Sequence, residues 1–129
     1  PRYWRENQSR YNMIGAKCNN CSKTYFPSRA MCPECGRKSL GKMEKFKFSG
    51  KGTVYSTTVV HEAHEQYNML KPYTIALIDL DEGAKILGQV IDCEPEDVKI
   101  GTRVRSTLRK LGEEGKAGII YYGYKFVKE

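Results

Sequence analysis

The sequence predicts a mostly β protein in three parts: a short N-terminal helix, a metal-stapled ribbon and a small five-stranded barrel. Three observations carry that reading. Two Cys-x-x-Cys pairs stand ten residues apart in the first third of the chain. Five segments rich in β-branched and aromatic residues follow from Thr53 onward, and none of the chain beyond them has the periodicity of a long helix. The expected boundaries are residues 1–12 for the helix, 13–41 for the ribbon and 42–129 for the barrel.

With 129 residues, 40% of them hydrophobic and 29% charged, the chain has the size and composition of one folded domain, or of two small ones sharing a core. No apolar run approaches the ~20 residues needed to span a bilayer. The charged N-terminal segment also lacks the apolar stretch of a signal peptide, so the expected setting is the cytoplasm, away from membranes. Of the five cysteines, four fall in Cys-x-x-Cys pairs, a metal-site pattern in a reducing compartment and not a disulfide scaffold.

The first element, residues 3–11, contains neither Gly nor Pro and reads as a short helix. Tyr3, Trp4 and Tyr11 fall within one broad aromatic stripe. A helix this short is marginal unless it buries a face, either on the barrel or on a partner protein, and the sequence leaves both open.

The ribbon is defined by Cys18-x2-Cys21-x10-Cys32-x2-Cys35. Each Cys-x-x-Cys turn aims two thiolates at one ion, and the intervening hairpin brings the turns together. A tetrahedral set of four soft thiolates selects Zn²⁺ or a single iron, as in rubredoxins. Zinc is the expected ion, because nothing else in the chain suggests electron transfer. Four protein ligands leave no position for water or substrate, so its role is structural. In Cys32-Pro33-Glu34-Cys35-Gly36, Pro sets the turn and Gly stands where positive φ is needed.

From Lys42 the pattern turns to strands. Lys45-Phe46-Lys47-Phe48 leads into the turn Ser49-Gly50-Lys51-Gly52, followed by predicted strands at 53–60, 72–80, 84–91, 103–109 and 119–127. Asp81-Glu82-Gly83 between the second and third of these is a hairpin signal. Residues 110–118, Gly- and Glu-rich, read as a mobile loop. Five strands without a long helix fit the OB-fold barrel.

Other candidates are weaker. Cys93 has no base beside it in sequence and reads as a strand-end residue. His61 and His64, with Glu62 and Glu65, read as a solvated loop. Neither a phosphate-cradling Gly loop nor a nucleophile elbow is present, so catalysis finds no support. The formal net charge of +7, lowered by about two if zinc sits on four thiolates, favours an anionic partner. On a strand, Arg103, Arg105 and Arg109 share a face while Val104 and Leu108 point to the core. That row, with Lys45 and Lys47 adjoining it, suits phosphate or carboxylate recognition. Tyr122, Tyr124 and Phe126 share another face, which fits packing or base stacking.

The whole pattern resembles the family of zinc-ribbon plus OB-fold proteins described as acyl-CoA-associated. Its markers are Phe26-Pro27-Ser28-Arg29, Cys32-Pro33-Glu34-Cys35-Gly36, Gly52-Thr53-Val54-Tyr55-Ser56 and the following Val59-Val60-His61. The resemblance spans almost the whole chain. It implies a small non-catalytic subunit of a hetero-oligomer with thiolase-fold enzymes. In the archaeal branch, which the lysine- and glutamate-rich composition suits, it implies a scaffold joining acetoacetyl-CoA thiolase to hydroxymethylglutaryl-CoA synthase in the mevalonate route. Beyond the four zinc ligands the resemblance brings no catalytic residues.

The expected function is therefore that scaffold, with Tyr3, Trp4 and Tyr11 docking on an enzyme. Arg103, Arg105, Arg109, Lys45 and Lys47 would meet acyl-CoA phosphates or an acidic enzyme face. The competing reading is a single-stranded nucleic-acid binder, since ribbons and OB-folds both serve that purpose. The central hairpin, with Ile75, Leu77, Ile86 and Leu87, offers few rings for bases to stack on, which makes nucleic acid the lesser expectation.

Overall fold

Along residues 73–80, half-buried and buried side chains alternate without a break, with Thr74, Ala76, Ile78 and Leu80 turned inward. That period of two is what a strand with one face on a core requires. The same logic organises the rest of the computed structural model, which describes residues 2–129. Helix α1 (Arg2–Asn12) is followed by strands β1 (Ile14–Cys18), β2 (Thr24–Tyr25) and β3 (Met43–Lys47). Then come β4 (Lys51–Val60), β5 (Tyr73–Leu80), β6 (Lys85–Ile91), β7 (Arg103–Glu113) and β8 (Ile120–Lys128).

The last five strands close in the order β4-β5-β6-β8-β7, the expected OB-fold arrangement. Closure rests on two short pairings. Strands β4 and β7 are antiparallel at Lys51↔Arg105, Gly52↔Val104 and Thr53↔Arg103, and β6 runs parallel to β8 at Val90↔Phe126 and Ile91↔Val127. Phe126 fills the space between β6 and β8. Its ring lies 2.5 Å from where a Cβ on Gly88 would be, so only glycine fits that point of β6.

Two features differ from the sequence reading of the barrel. Strand β3, placed with the barrel by a boundary at residue 42, instead pairs with β1 from Ile14↔Lys47 to Cys18↔Met43, making a three-stranded sheet β2-β1-β3. The ribbon's sheet therefore runs through Lys47. The segment 110–118, read as a mobile loop, is strand in its first four residues and turn in the rest: β7 continues to Glu113 with a bulge between Lys110 and Gly112, opposite Tyr122 and Tyr121 of β8.

Ribbon and barrel share one core. Met13 and Phe48 sit in the same buried cluster as Val54, Ile78, Val104 and Phe126. Phe26 from the ribbon meets Phe48 (5.8 Å, 87°) and Tyr124 (5.6 Å, 75°) edge-on. Each fully buried Phe contributes about 1.5–3 kcal/mol, so the ribbon is fused to the barrel by packing as well as by chain. No helix among the described residues is long and apolar enough to cross a membrane.

Candidate metal centre and surrounding surfaces

The metal centre is built by two turns. Cys18 ends β1, its N–H donating to the Lys23 carbonyl (2.9 Å), and Ser22 N–H donates back to the Cys18 carbonyl (2.7 Å). In the second turn Gly36 N–H donates to the Cys32 carbonyl (2.9 Å), with Gly36 at φ 52° as the sequence anticipates. Ser39, fully buried, locks this turn: its Oγ accepts from Cys32 N–H (2.9 Å) and donates to the Gly36 carbonyl (2.6 Å).

The sulfurs of Cys18, Cys21, Cys32 and Cys35 all lie within 4.8 Å of one another, and Cys21 and Cys32 are 3.6 Å apart. Tetrahedral zinc with Zn–S bonds of about 2.3 Å places sulfurs at about 3.8 Å, so this donor set fits the ion. Cys18 and Cys32 are buried, Cys21 and Cys35 half-buried. The set is that of a closed, structural zinc site. Two outer donors steady the thiolates. Tyr25 Oη contacts Cys32 Sγ (3.2 Å) and Asn20 Nδ2 donates to Cys35 Sγ (3.1 Å). Burial opposes ionisation of Cys32, yet the Tyr25 hydroxyl and the N–H groups of Cys35 and Glu34 hold its thiol below the usual range.

The remaining candidates are scattered. On α1, Tyr3 stacks on Tyr121 of β8, whereas Trp4 is 80% exposed and Tyr11 also faces solvent. The stripe is thus divided between the protein's own surface and solvent. Arg103 makes a bidentate pair with Asp81 (2.7 and 2.9 Å), and Arg109 reaches Asp92 (3.0 Å). Arg105 is exposed between them. Lys45 donates to Gln8 of α1 (3.0 Å), so it adjoins the helix and not the arginine row, and Lys47 is exposed. Leu108, expected in the core, is 49% exposed: β7 pairs with β4 only at 103–105, and beyond that point no barrel lies behind it.

Cys93 packs against the core and burial pushes its thiol pKa up, the opposite of an activated nucleophile. His61 and His64 are exposed in the loop after β4, and the four-cysteine set is the only metal-ligand cluster among the described residues. Sequence reasoning missed a groove of about 800 Å³ beneath α1, with Phe26, Tyr73 and Tyr124 along it and Arg5 and Lys125 among its cations. No local signal marks it, because its walls come from α1, the ribbon and four barrel strands.

Comparison with known proteins places these features. Residues 10–41 match a family model described as the ChsH2 rubredoxin-like zinc ribbon domain, and residues 47–109 match the ChsH2 C-terminal OB-fold domain. A DUF35 domain-containing scaffold protein of Methanocaldococcus jannaschii is 50% identical over 125 residues, covering 97% of this chain and 87% of that protein. The benzoylsuccinyl-CoA thiolase subunit BbsA of Thauera aromatica is 27% identical over 114 residues, covering 88% of this chain and 74% of that subunit. A solved structure described as an Ltp2-ChsH2(DUF35) aldolase has the same fold, with a TM-score of 0.73 at 24% identity, covering 98% of this chain and 92% of that one.

Proposed function

The chain belongs to the ChsH2 (DUF35) family of zinc-ribbon plus OB-fold proteins, and from that premise we propose that it is a non-catalytic scaffold subunit bridging acetoacetyl-CoA thiolase to hydroxymethylglutaryl-CoA synthase. The observation that carries the scaffold role is its 50% identity, over 97% of its length, to a protein named as a scaffold. The name of the thiolase subunit among its relatives points to a thiolase-fold partner.

The physical rationale is effective concentration. Thiolase condensation lies uphill, so a second enzyme held beside the first draws its product forward without waiting for diffusion. A scaffold needs a rigid body with separate faces. The closed zinc site and the core shared by ribbon and barrel supply the rigidity. Trp4 and Tyr11, exposed on α1, are the aromatic anchors of one docking face, the residue types that dominate interface energies. Tyr3 supports that face from beneath by its stack on Tyr121. In this reading Arg105 and Lys47, exposed cations, are the first contacts of an acidic enzyme face or of acyl-CoA phosphates. Arg103, Arg109 and Lys45 would join by exchanging their present partners.

Tagged co-purification from the source cell, nuclease-treated and at moderate salt, tests this. A thiolase and a synthase retained in fixed ratio support the bridge. A thiolase-fold enzyme without a synthase keeps the scaffold and rejects the bridge. Nucleic-acid machinery alone would overturn both. Trp4→Ala with Tyr11→Ala is expected to release one enzyme and leave the fold intact.

A further inference from the structure

Successive residues of a strand point to opposite faces, so Lys125, next to the core residue Phe126 on β8, stands on the outer face of the ring. A lysine there ordinarily extends into water. Lys125 is instead only 7% exposed. It lines both the groove beneath α1 and a second cavity of about 450 Å³, where Tyr73, Gln89, Asp92 and Arg109 also contribute.

The stem of Lys125 is packed while its ammonium opens onto these two cavities, so the cation is held in place where an acceptor could meet it. Lys125 has no hydrogen bond or ion pair among the described residues. The carboxylate nearest in influence, Asp92, is already engaged by Arg109 Nη2 at 3.0 Å. Nη1 of that guanidinium donates to Thr107 Oγ1 (2.8 Å) and the Leu108 carbonyl (3.1 Å), which leaves its Nε–H without an acceptor among the described residues. Burial and the adjacent guanidinium both push the Lys125 pKa down, and Asp92 only partly opposes them. Two cations therefore share one carboxylate in a cavity that has room for more.

We propose that Lys125 and Arg109 form an oxyanion-binding site in this cavity, taking the phosphate or carboxylate of a small-molecule ligand. An incoming oxyanion supplies the acceptor that Lys125 lacks, and Arg109 offers a second charge-assisted donor beside it. The cavity's apolar wall, Tyr73 with Leu70 and Pro72, accommodates the body of such a ligand. The site is built by this chain alone, and since Arg109 is also among the cations proposed to meet acyl-CoA phosphates, it rests in that respect on the proposed function.

The test uses the full zinc-loaded chain without partners, titrated with inorganic phosphate, pyrophosphate or acetate at constant ionic strength. Calorimetry reads affinity and thermal unfolding reads the ligand-dependent shift. Saturable binding of phosphate or pyrophosphate, weakened about tenfold or more in Lys125→Met and largely kept in Lys125→Arg, supports the proposal with a phosphoryl ligand. The same pattern for acetate alone assigns a carboxylate. Should Lys125→Met fail to fold, Arg109→Gln, at a more exposed position, must weaken binding in its place. Absence of saturable binding in the native chain, or undiminished binding in the variants, overturns the proposal. Enzyme capture is read separately, so neither result decides the other.

Discussion

Tyr3 and Tyr121 lie face to face, with ring centroids 4.0 Å apart and planes 15° off parallel, and this stack fastens α1 to β8. The Arg10 guanidinium lies 4.9 Å from the centre of the Tyr3 ring. Glu6 accepts from Arg2 Nε (3.0 Å) and from Arg10 Nη2 (2.6 Å) on the same helix. Helix α1 has no fully buried residue, so a few such contacts decide whether it stays docked.

Replacing Tyr3 with Ala is expected to free α1 while the barrel survives. The stack is worth about 0.5–1.5 kcal/mol beyond the area it buries. Amide exchange should show protection lost across α1 and kept in β5 and β6. Trp4→Ala, at an 80% exposed position, should change stability by less than about 0.5 kcal/mol. Loss of protection in both variants would mean that Trp4 is also packed in solution.

Glu82 fastens the β5–β6 hairpin to the ribbon side. Its Oε1 accepts from Ser49 N–H (2.7 Å), and its carbonyl accepts from Thr24 Oγ1 (2.7 Å). Its Oε2 is buried without a partner. Glu82→Ala removes the acceptor of the Ser49 N–H and should cost about 0.5–1.5 kcal/mol in denaturant unfolding. Glu82→Gln keeps an acceptor and removes a charge that is only half satisfied, so it should cost clearly less. Equal losses in the two variants would show that the charge itself is required.

The Asp81–Arg103 pair gives stability a pH dependence of known sign. The hydrogen bonds from Arg103 hold the Asp81 carboxyl below its ordinary value. Its contribution is therefore complete above the unfolded value of about 3.9 and is lost as pH falls through the lowered one. Both side chains are 44% exposed, so solvent screening keeps the contribution of the pair small. Asp81→Asn should differ from the native chain at neutral pH and converge with it in acid. A gap that persists in acid would trace to packing instead of charge.

What the sequence reveals follows the range of the interaction. The zinc ligands are legible because two residues separate each pair, and β5 and β6 because alternation is local. The origin of β3 is not, since Lys45-Phe46-Lys47-Phe48 can pair forward into the barrel or back onto β1, and only the folded cysteine turns decide. Arg103, Arg105 and Arg109 lie on one strand, which the local sequence shows, but their partners Asp81 and Asp92 arrive through ring closure. Leu108 obeys alternation and still meets solvent, because the β7–β8 hairpin outruns the ring. Lys125, between Tyr124 and Phe126, reads as an ordinary surface lysine, and its burial comes from elements distant in sequence.

Removal of zinc tests how deeply ribbon and barrel depend on each other. Metal analysis should find one zinc ion per chain, lost in Cys32→Ser and kept in Cys93→Ser, since only Cys32 belongs to the thiolate set. Zinc should also dissociate on acidification, as protons compete for the thiolates. Chelation frees the turns that hold β1 against β3, and Met13 and Phe48 flank that pair of strands while sitting in the barrel core. Loosening Phe48 alone removes about 1.5–3 kcal/mol of burial from the barrel. The chelated chain should therefore unfold at a lower temperature in one cooperative transition. A second transition, with the barrel melting unchanged after the ribbon has gone, would show that the shared core contributes little to barrel stability.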